Sequence, residues 1–223
     1  MSKEILVAGA TGRTGKIIIK KLLQKGIKPH VLVRDYPSAL DLWQDSVTYH
    51  LGDVRDIQTL LPAMSGVTAL ISAIGAQSPV GKNCPKRVEY EGVANLVQAA
   101  ITQGVKRFIL ISSVAVTHPE HPMNHFGKIL EWKYQGEEIL RQSGLEYVII
   151  RPGGLMNTPG GERQLRFGQG DQFLGMISRS DLAEICLQAL QYPYPINITF
   201  EVVEAERKEK AGWRPKFASL ATD

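Results

Sequence analysis

Short apolar runs and amphipathic stretches alternate along the whole chain. Glu4–Ala8 is strand-like and ends in glycine. Lys16–Gln24 then carries Ile17, Ile18, Leu22 and Leu23 at helical spacing, and Gly26 closes it. His30–Val33 and Val47–Leu51 predict the next two strands, Ile57–Met64 a short helix, and Val67–Ile74 a fourth strand. Val88–Gln103 predicts a long amphipathic helix stopped by Gly104, with a fifth strand over Val105–Ser113. A helix over about His125–Ser143, a strand over Tyr147–Arg151, a helix over Asp181–Gln191 and a last strand over Ile196–Val203 complete the pattern. The strands are apolar on both faces and alternate with helices. That combination predicts βαβ crossovers and a doubly wound parallel α/β sheet, covered on both sides. Gln77–Lys86, Thr117–Met123, Asn157–Gly170 and a tail from Glu204, with Trp213 in it, read as irregular; the tail reads as a packed strap. No repeat or composition break divides residues 1–223, so one domain is expected.

Composition narrows the function. With 223 residues, 43% hydrophobic and 22% charged, the chain is long enough to bury roughly 70% of its unfolded surface. Disulfide-stapled or metal-nucleated scaffolds are therefore not expected. No apolar run approaches the ~18 residues of a membrane span. Met1–Glu4 leads directly into the first strand, so no leader is expected, and Cys84 and Cys186 stand far apart as reduced thiols, pointing to a cytoplasmic protein. The net charge of +4 suits anionic small molecules and argues against nucleic acid.

The first strand runs into Gly9-Ala10-Thr11-Gly12-Arg13-Thr14-Gly15 and then a helix. A glycine-rich strand-to-helix turn lets a backbone approach a diphosphate, which then meets the N–H groups and positive dipole of the helix N-terminus. The spacing is GxxGxxG, and its place in the first βαβ unit supports dinucleotide binding over an ordinary turn. Arg34 follows the second strand, ahead of Asp35. An acidic residue there favours the ribose hydroxyl of NAD, whereas an arginine favours the 2′-phosphate of NADP. Arg34 and Arg13 together are expected to converge on that phosphate, so NADP is the expected cofactor. Asp53, beside Val54, either accepts from the adenine amino group or caps the next helix. Ala73-Ile74-Gly75 ends the fourth strand in small residues against which a cofactor can lie.

These segments resemble the atypical short-chain dehydrogenase/reductases of the NmrA-like, NAD(P)H-binding subgroup, a group similar to flavin reductase and biliverdin-IXβ reductase. Tyr90-Glu91-Gly92 with Asn95-Leu96, Ile111-Ser112-Ser113, Trp132-Lys133, Ser143–Leu155 and Ile177–Leu182 extend the likeness over about residues 4–190. The resemblance implies a Rossmann fold, with Ser112, Pro152 and Gly153 beside the nicotinamide. It also implies Ser113 at the acceptor and Lys133 on the nicotinamide ribose. The family's Tyr, four residues before the Lys, is Ile129 here. Tyr134 is turned about 100° away from Lys133 on a helix and is a poor substitute.

Two functions follow from the resemblance. One is an NADPH-dependent oxidoreductase passing hydride to a flat conjugated small molecule such as a flavin, quinone or tetrapyrrole, which needs a strong general acid less than a ketone does. The other is a non-catalytic NADP(H)-binding redox sensor or assembly factor with a protein partner. His118, His121 and His125 lie near one another, but Pro119 and Pro122 intervene and no cysteine is nearby, so no metal is expected. The glycine loop lacks the Gly-Lys-Ser/Thr of a phosphate-binding P-loop, and no Gly-x-Ser-x-Gly elbow occurs.

Overall fold

A computed structural model describes residues 4–191, 196–205, 217 and 219–223. Its strands are β1 (Ile5–Ala8), β2 (His30–Val33), β3 (Thr48–Leu51), β4 (Ala69–Ser72), β5 (Arg107–Ile111), β6 (Glu146–Pro152), β7 (Gly154–Met156), β8 (Leu165–Gly168), β9 (Met176–Ser178) and β10 (Ile198–Glu204). The helices are α1 (Arg13–Gln24), α2 (Tyr36–Trp43), α3 (Ile57–Ala63), α4 (Gly92–Gln103), α5 (Ile129–Arg141) and α6 (Arg179–Ala189).

The main sheet runs β3-β2-β1-β4-β5-β6-β10-β8, parallel except for the antiparallel edge strand β8; β7 and β9 form a small parallel pair. The order reverses between β1 and β4, the switch point at which doubly wound sheets open a crevice. Alternate strand residues feed two cores. Ile5, Val7, Ile71 and Val148 pack with Ile18, Leu22, Ala183 and Ile185 from α1 and α6. Leu6, Leu70, Phe108 and Ile149 pack with Leu60, Leu96, Val97 and Leu140 from α3, α4 and α5. Both faces are thus dry, which is why the strands read as continuous apolar runs.

Four elements arise where the local pattern predicts none: α2, β7, β8 and β9. β8 lies inside the expected irregular stretch Asn157–Gly170. It forms because β10 offers it an edge, pairing Phe167 with Val202 and Arg166 with Val203, a partner some 35 residues away that no local periodicity announces. Glu204 belongs to β10, not to the tail. Trp213 lies outside the described residues. Phe217 is buried against Phe200, and the Asp223 carboxylate accepts from the Thr199 N–H at 2.9 Å and the Tyr147 hydroxyl at 3.0 Å. Among the described residues no helix is long and apolar enough to cross a membrane.

Candidate functional site

The parallel strands bring the residues after β1, β2, β3, β4, β5 and β6 to one edge of the sheet. Gly9–Gly15, Arg34, Asp53-Val54, Ala73–Gly75, Ser112-Ser113 and Gly153 meet there, around two adjoining cavities.

The glycine loop divides its labour. Gly9 is left-handed at φ 79°, and a Cβ on it would lie 2.5 Å from the Ala73 carbonyl oxygen. A Cβ on Gly15 would lie 2.2 Å from the Gly9 carbonyl oxygen. Those two glycines let β1, β4 and α1 pack closely. Gly12 is different: its nearest neighbour would be 3.1 Å away, and it lines both cavities. The N–H groups of Arg13 and Thr14, at the start of α1, meet no acceptor among the described residues. Ser112 Oγ, on the cleft wall, is buried without a hydrogen-bond partner. Free helix N–H donors, Gly12 bordering both cavities and an orphaned hydroxyl fit a bound dinucleotide.

The first cavity, between β1 and β2, is lined by Gly9, Thr11, Gly12, Arg34, Asp53, Val54, Ala73, Ile74 and Gly75. Arg13 is not there; it lines the second cavity, so the structure separates it from Arg34. Arg55 lines this cavity beside Arg34. Its guanidinium binds Asp53 through Nε at 2.9 Å and through Nη2, and its Nη1 donates to the Lys82 carbonyl at 2.9 Å. The Arg55 hydrogen bond holds the Asp53 carboxyl below its usual range. Asp53 is not the cap of α3; Asp56 is, accepting from the Gln58 N–H at 3.0 Å. Arg34 Nη1 donates to Asn83 at 3.2 Å, and Asp35 accepts from the Ser38 hydroxyl at 2.5 Å at the start of α2. Val54 is fixed by its carbonyl, which accepts from Asn95 Nδ2 at 2.8 Å.

The second cavity is a cleft holding Thr14, Ser112, Ser113, Lys133, Pro152, Gly153 and Arg179, with Met123, Ile129 and Leu155 on its apolar side. Lys133 Nζ donates to Glu89 Oε2 at 2.8 Å, with side-chain exposures of 12% and 3%. Glu89 Oε1 accepts from the Ala76 N–H at 2.7 Å. One carboxylate therefore ties the lysine to the loop after β4. Glu89 stands on a π-turn, Lys86–Glu91, that leads into α4, so the predicted helix starts earlier and wider than its pattern indicates. Gly136 on α5 lets this turn approach: a Cβ there would lie 2.4 Å from the Glu89 carbonyl oxygen. Sequence reasoning missed Glu89, although a signal was present. It falls four residues before Val93 on the buried stripe of the helix, where a carboxylate demands a partner.

Ser113 is positioned by its neighbours. Asp171 accepts from the Ala115 N–H at 2.6 Å and the Thr117 N–H at 2.8 Å, which pins the loop following the serine. Gly153 donates to the Val202 carbonyl at 3.0 Å, and a Cβ there would lie 2.3 Å from the Gly175 carbonyl oxygen. Ile129 faces the cleft, whereas Tyr134 lines a separate hollow with Trp132 and Pro119. Among the described residues no three His, Cys, Asp or Glu side chains gather as a metal site.

Glycine loop, switch-point crevice and strand-end lining together define a Rossmann-type dinucleotide-binding protein. A family model described as NAD(P)H-binding matches residues 9–193, and the chain belongs to that family. It is 36% identical over 212 residues to an uncharacterized chloroplastic protein of Arabidopsis thaliana, covering 84% of this chain and 65% of that one. It is 34% identical to sanguinarine reductase of Eschscholzia californica, covering 89% and 88% respectively. The chain thus spans just under two thirds of the Arabidopsis relative and most of the Eschscholzia one. Its fold is similar to that of the anaerobillin reductase ChuY of Escherichia coli O157:H7, at a TM-score of 0.79 and 23% identity over 92% of this chain and 99% of that one.

Proposed function

We propose that the chain is an NADPH-dependent reductase, working as one domain, that delivers hydride to a flat conjugated acceptor such as a flavin, quinone or tetrapyrrole. The observation that carries this reading is the cleft itself. A buried Glu89–Lys133 pair and two serines face it, and Ile129 occupies the place of a phenolic acid. When bound, the reduced nicotinamide supplies the hydride. Gly12 and the first N–H groups of α1 hold the diphosphate. Arg34 flanks the adenosine end, with Arg55 beside it paired to Asp53, and an arginine at the tip of β2 favours a 2′-phosphate. Lys133, anchored by Glu89, binds the ribose. Ser113 donates to the acceptor, and Ser112 takes the carboxamide. With no phenol lining the cleft among the described residues, the acceptor must spread its own developing charge and take its proton from water, which suits conjugated rings. The 34% identity to a protein named as a reductase supports the same reading.

The test is steady-state NADPH oxidation with flavins, quinones and biliverdin, run beside Ser113→Ala and Lys133→Met. Turnover of one acceptor, lost in both variants, is expected. Tight NADPH binding with no oxidation of any acceptor would overturn the proposal in favour of a redox sensor or assembly factor.

A further inference from the structure

The ionisable groups lining the cleft are Arg13, Glu89, Lys133 and Arg179. Glu89 and Lys133 neutralise each other, which leaves two arginines unmatched. Neither Arg13 nor Arg179 has an acidic partner among the described residues. Arg179 is only 6% exposed, so its charge is largely removed from water. It is aimed rather than loose: Nη1 donates to the Leu155 carbonyl at 2.9 Å and to Asn157 Oδ1 at 2.7 Å. Those bonds use one nitrogen, and Nε and Nη2 have no partner among the described residues. Burial, together with the nearby charge of Arg13, pushes the Arg179 guanidinium below its ordinary range. A little-exposed cation lining the same cleft as a second cation, with no acid matched to either, is relieved when an anion joins them. Helix packing adds to the effect. Arg13 and Arg179 are the first residues of α1 and α6; the α1 N-terminus is uncapped and presents its positive end beside the pair, whereas that of α6 is capped by Ser178 with Asp181 in its first turn. Met123, Ile129 and Leu155 contribute apolar side chains to the same cleft.

We propose that Arg13 and Arg179 form an anion-binding pair on the wall of this cleft, taking a phosphate or carboxylate from the molecule bound there. Forked guanidiniums suit either group. That group belongs either to the cofactor, as its diphosphate, or to the acceptor, as an acidic arm on an otherwise apolar ring. The second source rests on the reductase reading above; the first does not.

The experiment is binding without turnover. NADPH affinity is measured by fluorescence. In the presence of NADP+, the affinities of FMN against riboflavin and of biliverdin against its dimethyl ester are then compared. Each pair shares a ring system and differs in acidic groups. The proteins are wild type, Arg13→Gln, Arg179→Gln and Arg179→Lys. Arg13 is exposed, so its variant tests the pair without disturbing the core. If the anion is the cofactor's, both glutamine variants weaken NADPH by about 10- to 100-fold, the loss expected for charge-assisted hydrogen bonds, and the lysine variant restores part of it. If it is the acceptor's, NADPH affinity holds. Wild type then prefers FMN or biliverdin over its uncharged partner, and the glutamine variants erase that preference. An NADPH affinity indifferent to both substitutions, with no preference for the acidic member of either pair, overturns the proposal. Because no hydride moves in these assays, failure of turnover in the oxidation panel leaves their outcome intact.

Discussion

Replacing Glu89 by Gln removes the charge that faces Lys133 and keeps an oxygen for the Ala76 N–H. The amide then sets a donor against the ammonium. Breaking a buried ion pair by removing one partner costs about 3–5 kcal/mol when the survivor stays buried. Lys133 retains 12% exposure and opens on the cleft, so it recovers some hydration, and about 2–3 kcal/mol is expected. Lys133→Met is the harsher change, at about 3–4 kcal/mol, because it strands a carboxylate that is only 3% exposed. The double variant Glu89→Gln/Lys133→Met leaves no unpaired charge. It should lose only about 1–2 kcal/mol, well short of the sum of the singles. Urea unfolding of the four proteins measures the coupling, and thermal midpoints should fall by about 2–4 °C for each kcal/mol lost. Losses that add within about 0.5 kcal/mol would show that the pair is not coupled and would refute the reading of Glu89 as the lysine's anchor.

The glycines separate fold from binding. Gly9→Ala puts a Cβ 2.5 Å from the Ala73 oxygen at positive φ and should lower stability by about 1–3 kcal/mol, whereas Gly12→Ala, at negative φ with a 3.1 Å contact on the Gly9 oxygen, should lose clearly less and weaken NADPH by about tenfold or more. Equal melting losses in the two variants would contradict this division. Arg34→Ala should raise the Kd for NADPH by about 10- to 100-fold and leave NADH nearly unchanged; a parallel loss for both would remove the 2′-phosphate from its role. Asp53 has a depressed folded pKa, so its contribution is present above the unfolded value of about 3.9 and fades as pH falls through the lower folded value. Asp53→Asn should therefore be less stable than wild type at pH 7, by under about 1 kcal/mol given its exposure, and should converge with it in acid. A stability gap that widens on acidification would reverse the sign of the argument.

Much of this protein was legible in the chain. Two-faced apolar runs such as Ile5–Ala8 and Phe108–Ile111 dictate a sheet buried on both sides, whatever their partners. The glycine turn between β1 and α1 was legible because only short-range geometry is involved. The missing phenol at Ile129 was equally plain. Strand β8 could not be read, because it is held by β10 rather than by its own pattern. Nor could the separation of Arg13 from Arg34, since the direction of a side chain at a helix start depends on which cavity that helix borders. Glu89, Asp171 and Arg179 acquire meaning only through groups distant in sequence: Lys133, the Ala115–Thr117 loop and Arg13. Hydrophobic periodicity and turn chemistry are local and determine the scaffold. The pairing of buried charges is set by which elements pack together, and tertiary structure alone decides it.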